Sequence, residues 1–196
     1  MKQLTLGFML CITMLISNSQ EKEVSYYSTI PEYPALYSPG TVAARMVDGL
    51  GFRYYWATEN LRAEDLIFRP NEEARTTEET LDHILGLSQV ILNASLKKVH
   101  ESIDIEGMSF EEKRAITLQN IRKAADIFRK ANNDEMSEFE MVFQGDGQTT
   151  NYPLWNLING PIADAIWHVG QVVSFRRSSG NPFNSNVSVL RGKLRE

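Results

Sequence analysis

Residues 164–171 of the chain read DAIWHVGQ, a pattern typical of an α-helix. Asp164 and His168 stand four residues apart in this stretch. Four residues return to nearly the same helix face, about 6 Å farther along the axis, so both side chains can reach one point. The stretch therefore predicts a helix that presents a carboxylate and an imidazole together.

The helix that contains this stretch is interrupted by a proline. We expect it to begin around Pro153, since proline is favoured at the first helical position, and to run to about Ser179 before Gly180. Pro161 cannot donate a backbone hydrogen bond and should kink the helix one turn before the Asp–His pair. Alternatively, the helix breaks at Gly160-Pro161 and starts there. Either way, the sequence predicts an irregular backbone beside the pair.

Two capping boxes mark the starts of two earlier helices. Thr76 with Glu79 opens one helix, which continues to about Val99, and Ser109 with Glu112 opens the next. The apolar residues of the helix from Thr76 cover an unusually wide arc. Such a helix is packed on more than one side, as in a helical bundle.

A further helix is predicted near the start of the chain. It runs from about Thr41, taken as the N-cap, to Asn60, because apolar residues recur there at helical spacing. Gly49 and Gly51 weaken this helix locally and allow close packing or a bend. Residues 61–75 form a connector to the next helix.

A small hairpin is predicted before the last helix. Asp146-Gly147 separates two short stretches between residues 139 and 151, and Asp-Gly is a frequent hairpin turn. The rest of the chain holds four predicted helices and no repeat. We therefore expect an all-α fold, a four-helix bundle with a small irregular or hairpin excursion before its last helix.

Length and composition indicate one ordinary domain with short appendages. The chain has 196 residues, 42% of them hydrophobic, and a formal net charge of −5. An acidic balance argues against a nucleic-acid partner, which requires a basic face. We divide the chain into a signal peptide (1–20), an extended N-terminal arm (21–40), the helical bundle (41–180) and a C-terminal tail (181–196).

The N-terminus predicts export. Lys2 precedes an apolar run from Leu4 to Ile16, and small residues follow at 17–19, so cleavage is expected near Ser19 or Gln20. The mature protein would be periplasmic or extracellular, without an integral membrane domain. A lipoprotein anchored through Cys11 and an uncleaved anchor are the alternatives. Cleavage would remove the only cysteine, so any chemistry must use oxygen and nitrogen groups.

His83 is the residue expected to complete a site with the Asp–His pair. It lies at the margin of the apolar arc of its helix, where a side chain can line a cleft between helices. Two imidazoles and a carboxylate with open positions suit a catalytic Zn²⁺, Fe²⁺, Mn²⁺ or Ni²⁺ ion. The alternative is that Asp164 and His168 form only a hydrogen bond on the helix surface.

Three stretches resemble the DinB-like superfamily, which includes the YfiT-type metal-dependent hydrolases. They are LRAEDLIFRP at 61–70, TEETLDH at 77–83 and DAIWHVGQ at 164–171. The family pattern has a histidine early in the second helix and His-x-x-x-His-x-Gly-Gln in the last. The resemblance covers residues 41–180 and implies a four-helix bundle with a divalent-metal site and hydrolase or transferase activity on a small molecule.

The resemblance also implies roles for particular residues. His83 and His168 match two of the family's metal-binding histidines, whereas Asp164 stands where another histidine is expected. We expect Gln171 and Trp167 next to these ligands. Aspartate prefers harder cations than histidine does, so the metal bound here can differ from that of the family. The alternative is that the chain has lost the metal and is a non-catalytic binding or interaction bundle. A homodimer is a further possibility for a bundle of this kind.

Overall fold

The structure, a computed structural model, describes residues 25–196 and is mostly helical. Its helices are α1 (Pro39–Thr58), α2 (Ala63–Leu66), α3 (Thr77–Ser95), α4 (Phe110–Lys130), α5 (Leu154–Leu157) and α6 (Ala163–Ser178). Its strands form two small antiparallel pairs, β1 (Met141–Gly145) with β2 (Gln148–Tyr152), and β3 (Val187–Ser188) with β4 (Lys193–Leu194). The predicted signal peptide, its cleavage site and the Cys11 alternative lie outside the described residues.

The four long helices enclose one apolar core. α1 packs against α4 and α6, and α3 packs against the same two helices. Each long helix contributes side chains that are fully buried, among them Leu50, Ile84, Ile121 and Val172. The wide apolar arc predicted for α3 follows from its two packing partners. Among the described helices, none is long and apolar enough to cross a membrane.

Both predicted capping boxes are confirmed. The backbone N–H of Glu79 donates to the Thr76 hydroxyl (3.1 Å), and the N–H of Thr76 donates to the Glu79 carboxylate (2.7 Å). Ser109 and Glu112 exchange the same two bonds, at 3.2 Å and 2.8 Å. These bonds satisfy backbone donors that a helix start otherwise leaves open.

α1 starts earlier than predicted, and its N-cap is Ser38 and not Thr41. The Ser38 hydroxyl accepts from the Thr41 N–H (3.2 Å), and the Ser38 N–H donates to the Thr41 hydroxyl (2.9 Å). Pro39 occupies the first helical position, where its fixed φ is favourable and its missing N–H costs nothing.

α3 ends at Ser95, about one turn before the predicted end at Val99. Lys97 adopts a left-handed conformation with φ of +55°, which terminates the helix. Val99 then pairs with Val142 of β1, and the next residue donates its N–H to the Val142 carbonyl (2.7 Å).

Part of the predicted N-terminal arm packs into the core. Ser25–Ser28 forms a 3-10 turn, and Tyr27 within it is fully buried. The Tyr27 hydroxyl donates to the Asp48 carboxylate (3.0 Å), and its ring packs on Gly51 so closely that a Cβ there would lie 2.5 Å from it. The close packing allowed at Gly51 is therefore used by the arm.

The hairpin predicted around Asp146-Gly147 is confirmed. These two residues have φ of +52° and +74° and connect β1 to β2, as in a type I′ turn. The predicted C-terminal tail also carries structure, since β3 pairs with β4 there and Val187 is buried. The Ile30 N–H donates to the Gly192 carbonyl (2.8 Å), so the two terminal segments meet.

Candidate metal centre

Two histidines and an aspartate meet where α3 packs against α6. His83 lies in the second turn of α3, and Asp164 and His168 lie in the first two turns of α6. One potential ligand atom from each side chain can be chosen so that all three lie within 4.8 Å of one another. The structure therefore brings together the three residues that the sequence singles out.

The backbone that leads into α6 is irregular, as predicted. α5 passes into a π turn, Ile158–Ile162, in which Gly160 has φ of −93° and ψ of −107°, outside the helical region. Pro161 follows and cannot donate a backbone hydrogen bond. The chain is thus kinked at Gly160-Pro161, and α6 begins one residue before Asp164.

The three side chains lie at the edge of the core and open to solvent. Their exposed fractions are 34% for His83, 38% for Asp164 and 16% for His168. Beside them, Ile84 of α3 and Ala165 of α6 are fully buried. A group held there would be fixed by two packed helices and still reachable from water.

The Asp164 carboxylate stands between the two imidazoles. Its Oδ2 lies 3.4 Å from Nε2 of His83, and its Oδ1 lies 3.4 Å from Nε2 of His168. Hydrogen bonds from a charged donor to a carboxylate are shorter, at about 2.7–2.9 Å. The two distances involve different oxygens of the carboxylate. Each is close to the separation of about 3.3 Å between two ligands that lie about 2.0–2.1 Å from a tetrahedral metal.

The two imidazole rings are perpendicular to each other. Their centroids are 4.7 Å apart and their planes make an angle of 89°. The two rings therefore contact each other edge to face. Comparisons of the chain with protein families, with curated proteins and with solved structures found no match. The chemistry assigned to the site therefore rests on its own geometry.

Gln171 determines which nitrogen of His168 carries the proton. Its Oε1 lies 2.7 Å from Nδ1 of His168, so Nδ1–H donates to it. In the neutral imidazole, Nε2 then carries a lone pair that faces the Asp164 carboxylate. A lone pair and a carboxylate repel unless a cation or a proton lies between them. The hydrogen bond from Nδ1 to Gln171 is the kind of contact that usually orients a metal-binding histidine through its second nitrogen.

The electrostatics favour a neutral His83 at neutral pH. Burial lowers the pKa of His83, and the nearby positive charge of Arg75 lowers it further, against the opposing effect of its contact with Asp164. A neutral imidazole is the form that binds a metal. Arg75 is exposed, and no motif in the sequence pointed to it, although it directly precedes the capping box of α3.

Trp167, His100 and Arg176 are not members of this cluster. Trp167 is 72% exposed, and its role beside the ligands stays a prediction. His100 packs its ring against Phe143, with centroids 5.3 Å apart, in the loop that follows α3. Arg176 is buried and donates to the carbonyls of Trp56 and Ala57, so it connects α6 to the end of α1.

Proposed function

We propose that the chain is an exported, DinB-like four-helix bundle that binds one divalent metal ion through His83, Asp164 and His168. The function supported best is that of a metal-dependent hydrolase or transferase acting on a small molecule. The bundle is supported by four long helices that each pack against two others. The metal is supported by three ligands, two imidazoles and a carboxylate, which suit Zn²⁺, Fe²⁺, Mn²⁺ or Ni²⁺.

One observation carries the metal proposal. The Asp164 carboxylate faces Nε2 of both histidines at 3.4 Å, while Nδ1 of His168 is already bonded to Gln171. With the Gln171 amide oxygen facing Nδ1, protein groups alone would need a protonated His168 to relieve its contact with Asp164, whereas a divalent cation relieves it with both histidines neutral. The lowered pKa of His83 favours the neutral state of that ligand.

The ligand set supports catalysis better than a purely structural role. Three protein ligands leave at least one position open, and the partial exposure of Asp164 and His83 gives a substrate access to it. A divalent metal there supplies Lewis-acid polarisation of a substrate oxygen or activation of a water. Gln171 keeps the His168 proton on Nδ1 and so leaves Nε2 free to ligate.

Metal content tests the proposal. Purified protein should bind one equivalent of at least one of Zn²⁺, Fe²⁺, Mn²⁺ and Ni²⁺, and both His83→Ala and His168→Ala should lose it. His100→Ala is the matched control, because it removes a histidine outside the cluster. Protein that stays metal-free with all four ions, or equal loss in His100→Ala, would contradict the proposal and leave the non-catalytic binding bundle.

Export is tested separately from the metal. We propose that the mature chain begins near residue 20 and lies outside the cytoplasm, on the basis of the apolar run that follows Lys2. Intact mass of the protein recovered from cell fractions should give a chain that starts near Ser19 or Gln20. A full-length chain confined to the cytoplasm would refute export without affecting the metal site.

A further inference from the structure

A cavity lies between the start of α1, residues 133–137 and the region of α5. Its volume is about 730 Å³, and its walls include Val42 and Met46 of α1, Met136, Trp155 and Ile158. Small-molecule sites in proteins measure about 300–1,000 Å³, so the cavity has the size of a ligand site. None of its lining residues belongs to the His83, Asp164 and His168 cluster.

The lining of this cavity carries no ionised side chain. Among the described residues, those that line it include no Asp, Glu, Lys, Arg or His. The two serines of the lining already use their hydroxyls, since Ser38 caps α1 and Ser137 donates to the Asp134 carbonyl (3.0 Å). A charged group would lose part of its hydration there without gaining an opposite charge. The cavity therefore selects against ions.

Large apolar side chains stand open to water around the cavity. Tyr37 is 97% exposed, Trp155 is 76% exposed and Val42 is 49% exposed, and all three belong to the lining. Aromatic side chains at a concave apolar surface indicate a binding site more than isolated exposed residues do. Met46 and Met136 add flexible side chains that adapt to the shape of an apolar guest.

We propose that this cavity binds a neutral, hydrocarbon-rich small molecule. The absence of ionised lining residues sets the charge of the ligand, and the concave volume sets its size. The inference is independent of the metal, because the two sites share no residue.

Binding of the neutral fluorophore N-phenyl-1-naphthylamine tests the proposal. We expect one equivalent to bind, with its emission raised and the tryptophan emission quenched. Trp155→Phe retains an aromatic wall but removes the tryptophan of the cavity, so the affinity should persist while the quenching falls. Quenching that is unchanged in Trp155→Phe would place the probe elsewhere and overturn the proposal.

Two substitutions at Val42 test the location of the probe. Val42→Phe fills the cavity from a half-exposed position, and Val42→Glu places a carboxylate in it. Glutamate in the first turn of α1 is favourable for the helix, so Val42→Glu should fold even if Val42→Phe does not. Both should weaken probe binding about tenfold or more, because space or an apolar wall is lost. The matched control is Val189→Phe, at a position that is 42% exposed and outside the cavity.

The remaining outcomes are decisive as well. No saturable binding, or equal affinity in the folded Val42 variants and the wild type, would overturn the proposal. Light scattering measures the molar mass of the wild type and of Val42→Glu, and so shows whether the chain forms a dimer through this surface. A dimer that dissociates in Val42→Glu would mean that a second copy of the chain covers this surface, which also overturns it.

Discussion

At the scale of single residues, the proposed metal site depends on the hydrogen bond between Gln171 and His168. The amide oxygen accepts the Nδ1 proton at 2.7 Å and so orients Nε2 toward Asp164. A neighbour of this kind fixes both the tautomer and the ring orientation of a metal-binding histidine. Sequence spacing made the contact foreseeable, because residues three apart share one helix face.

We expect Gln171→Ala to weaken metal affinity by about 10- to 100-fold, because His168 loses the group that fixes its proton. Gln171→Glu should retain most of the affinity, since a carboxylate also accepts from Nδ1. Titration calorimetry with the metal that the protein prefers measures both. Equal affinities in the wild type and Gln171→Ala would mean that Nε2 of His168 is not a ligand.

Asp164 is the one carboxylate among the three proposed ligands. A carboxylate is a harder ligand than imidazole and adds a negative charge to the site. We expect Asp164→His to shift selectivity away from Mn²⁺ and toward Zn²⁺ and Ni²⁺. The ratio of the Zn²⁺ and Mn²⁺ dissociation constants in the two proteins measures this. A ratio unaltered by the substitution would exclude Asp164 from the ligand set.

At the scale of elements, a buried carboxylate joins α2 to the end of α6. Asp65 of α2 is fully buried and accepts hydrogen bonds from the Arg62 guanidinium (2.8 Å), from Ser179 and from Asn181 (2.7 Å). These bonds, above all those from Arg62, hold the pKa of Asp65 well below its usual range. No sequence pattern indicated the contacts with Ser179 and Asn181, because both residues lie more than 100 positions from Asp65.

The lowered pKa of Asp65 makes its contribution dependent on pH. The contribution is fully present above pH 3.8, the ordinary pKa of an aspartate, and is lost as the pH falls below that value toward the lower folded pKa. We expect Asp65→Asn to lower the free energy of unfolding by about 2–3 kcal/mol at pH 7. The difference from the wild type should shrink between about pH 4 and pH 2.

Urea unfolding at several pH values measures this prediction, and Glu64→Gln is its control. Glu64 also faces Arg62, at 4.0 Å, but its side chain is 74% exposed, so its loss should change little. If Asp65→Asn and Glu64→Gln had the same small effect, the network would not stabilise the junction of α2 with α6.

Helix starts show which elements sequence reasoning can locate. Thr76 with Glu79 identifies the start of α3 because both partners of the box are local. Ser38 and Thr41 stand three residues apart and are both suitable caps, so the prediction chose the wrong one. The proline at position 39 favours Ser38, since it belongs at the first helical position.

At the scale of the whole molecule, one residue of the segment before α1, Tyr27, is part of the core. Tyr27 follows Tyr26 in a stretch without periodicity, so no pattern predicts which of the two is buried. The metal centre could likewise be predicted only in part from local sequence patterns. The spacing of Asp164 and His168 is local, whereas the contact of His83 with Asp164 spans 81 positions and rests on how α3 packs on α6.

Substitution of two glycines, Gly51 and Gly86, distinguishes the effect of close packing from the effect of helix propensity. A Cβ at Gly51 would lie 2.5 Å from the Tyr27 ring, whereas one at Gly86 in α3 would have no neighbour within 4 Å. We expect Gly51→Ala to destabilise the protein by about 1–3 kcal/mol through overpacking. Gly86→Ala should stabilise it by about 0.5–1 kcal/mol, because alanine is the better helix former. Thermal unfolding measures both, and a stabilised Gly51→Ala would mean that Tyr27 does not pack there.

The metal centre is tested most directly by a crystal structure of the metal-loaded protein, with anomalous scattering recorded at the absorption edge of the ion. The account predicts a single anomalous peak about 2.0–2.2 Å from Nε2 of His83, Nε2 of His168 and an oxygen of Asp164. A peak bound elsewhere, or no peak at this cluster after incubation with Zn²⁺, Fe²⁺, Mn²⁺ or Ni²⁺, would contradict it.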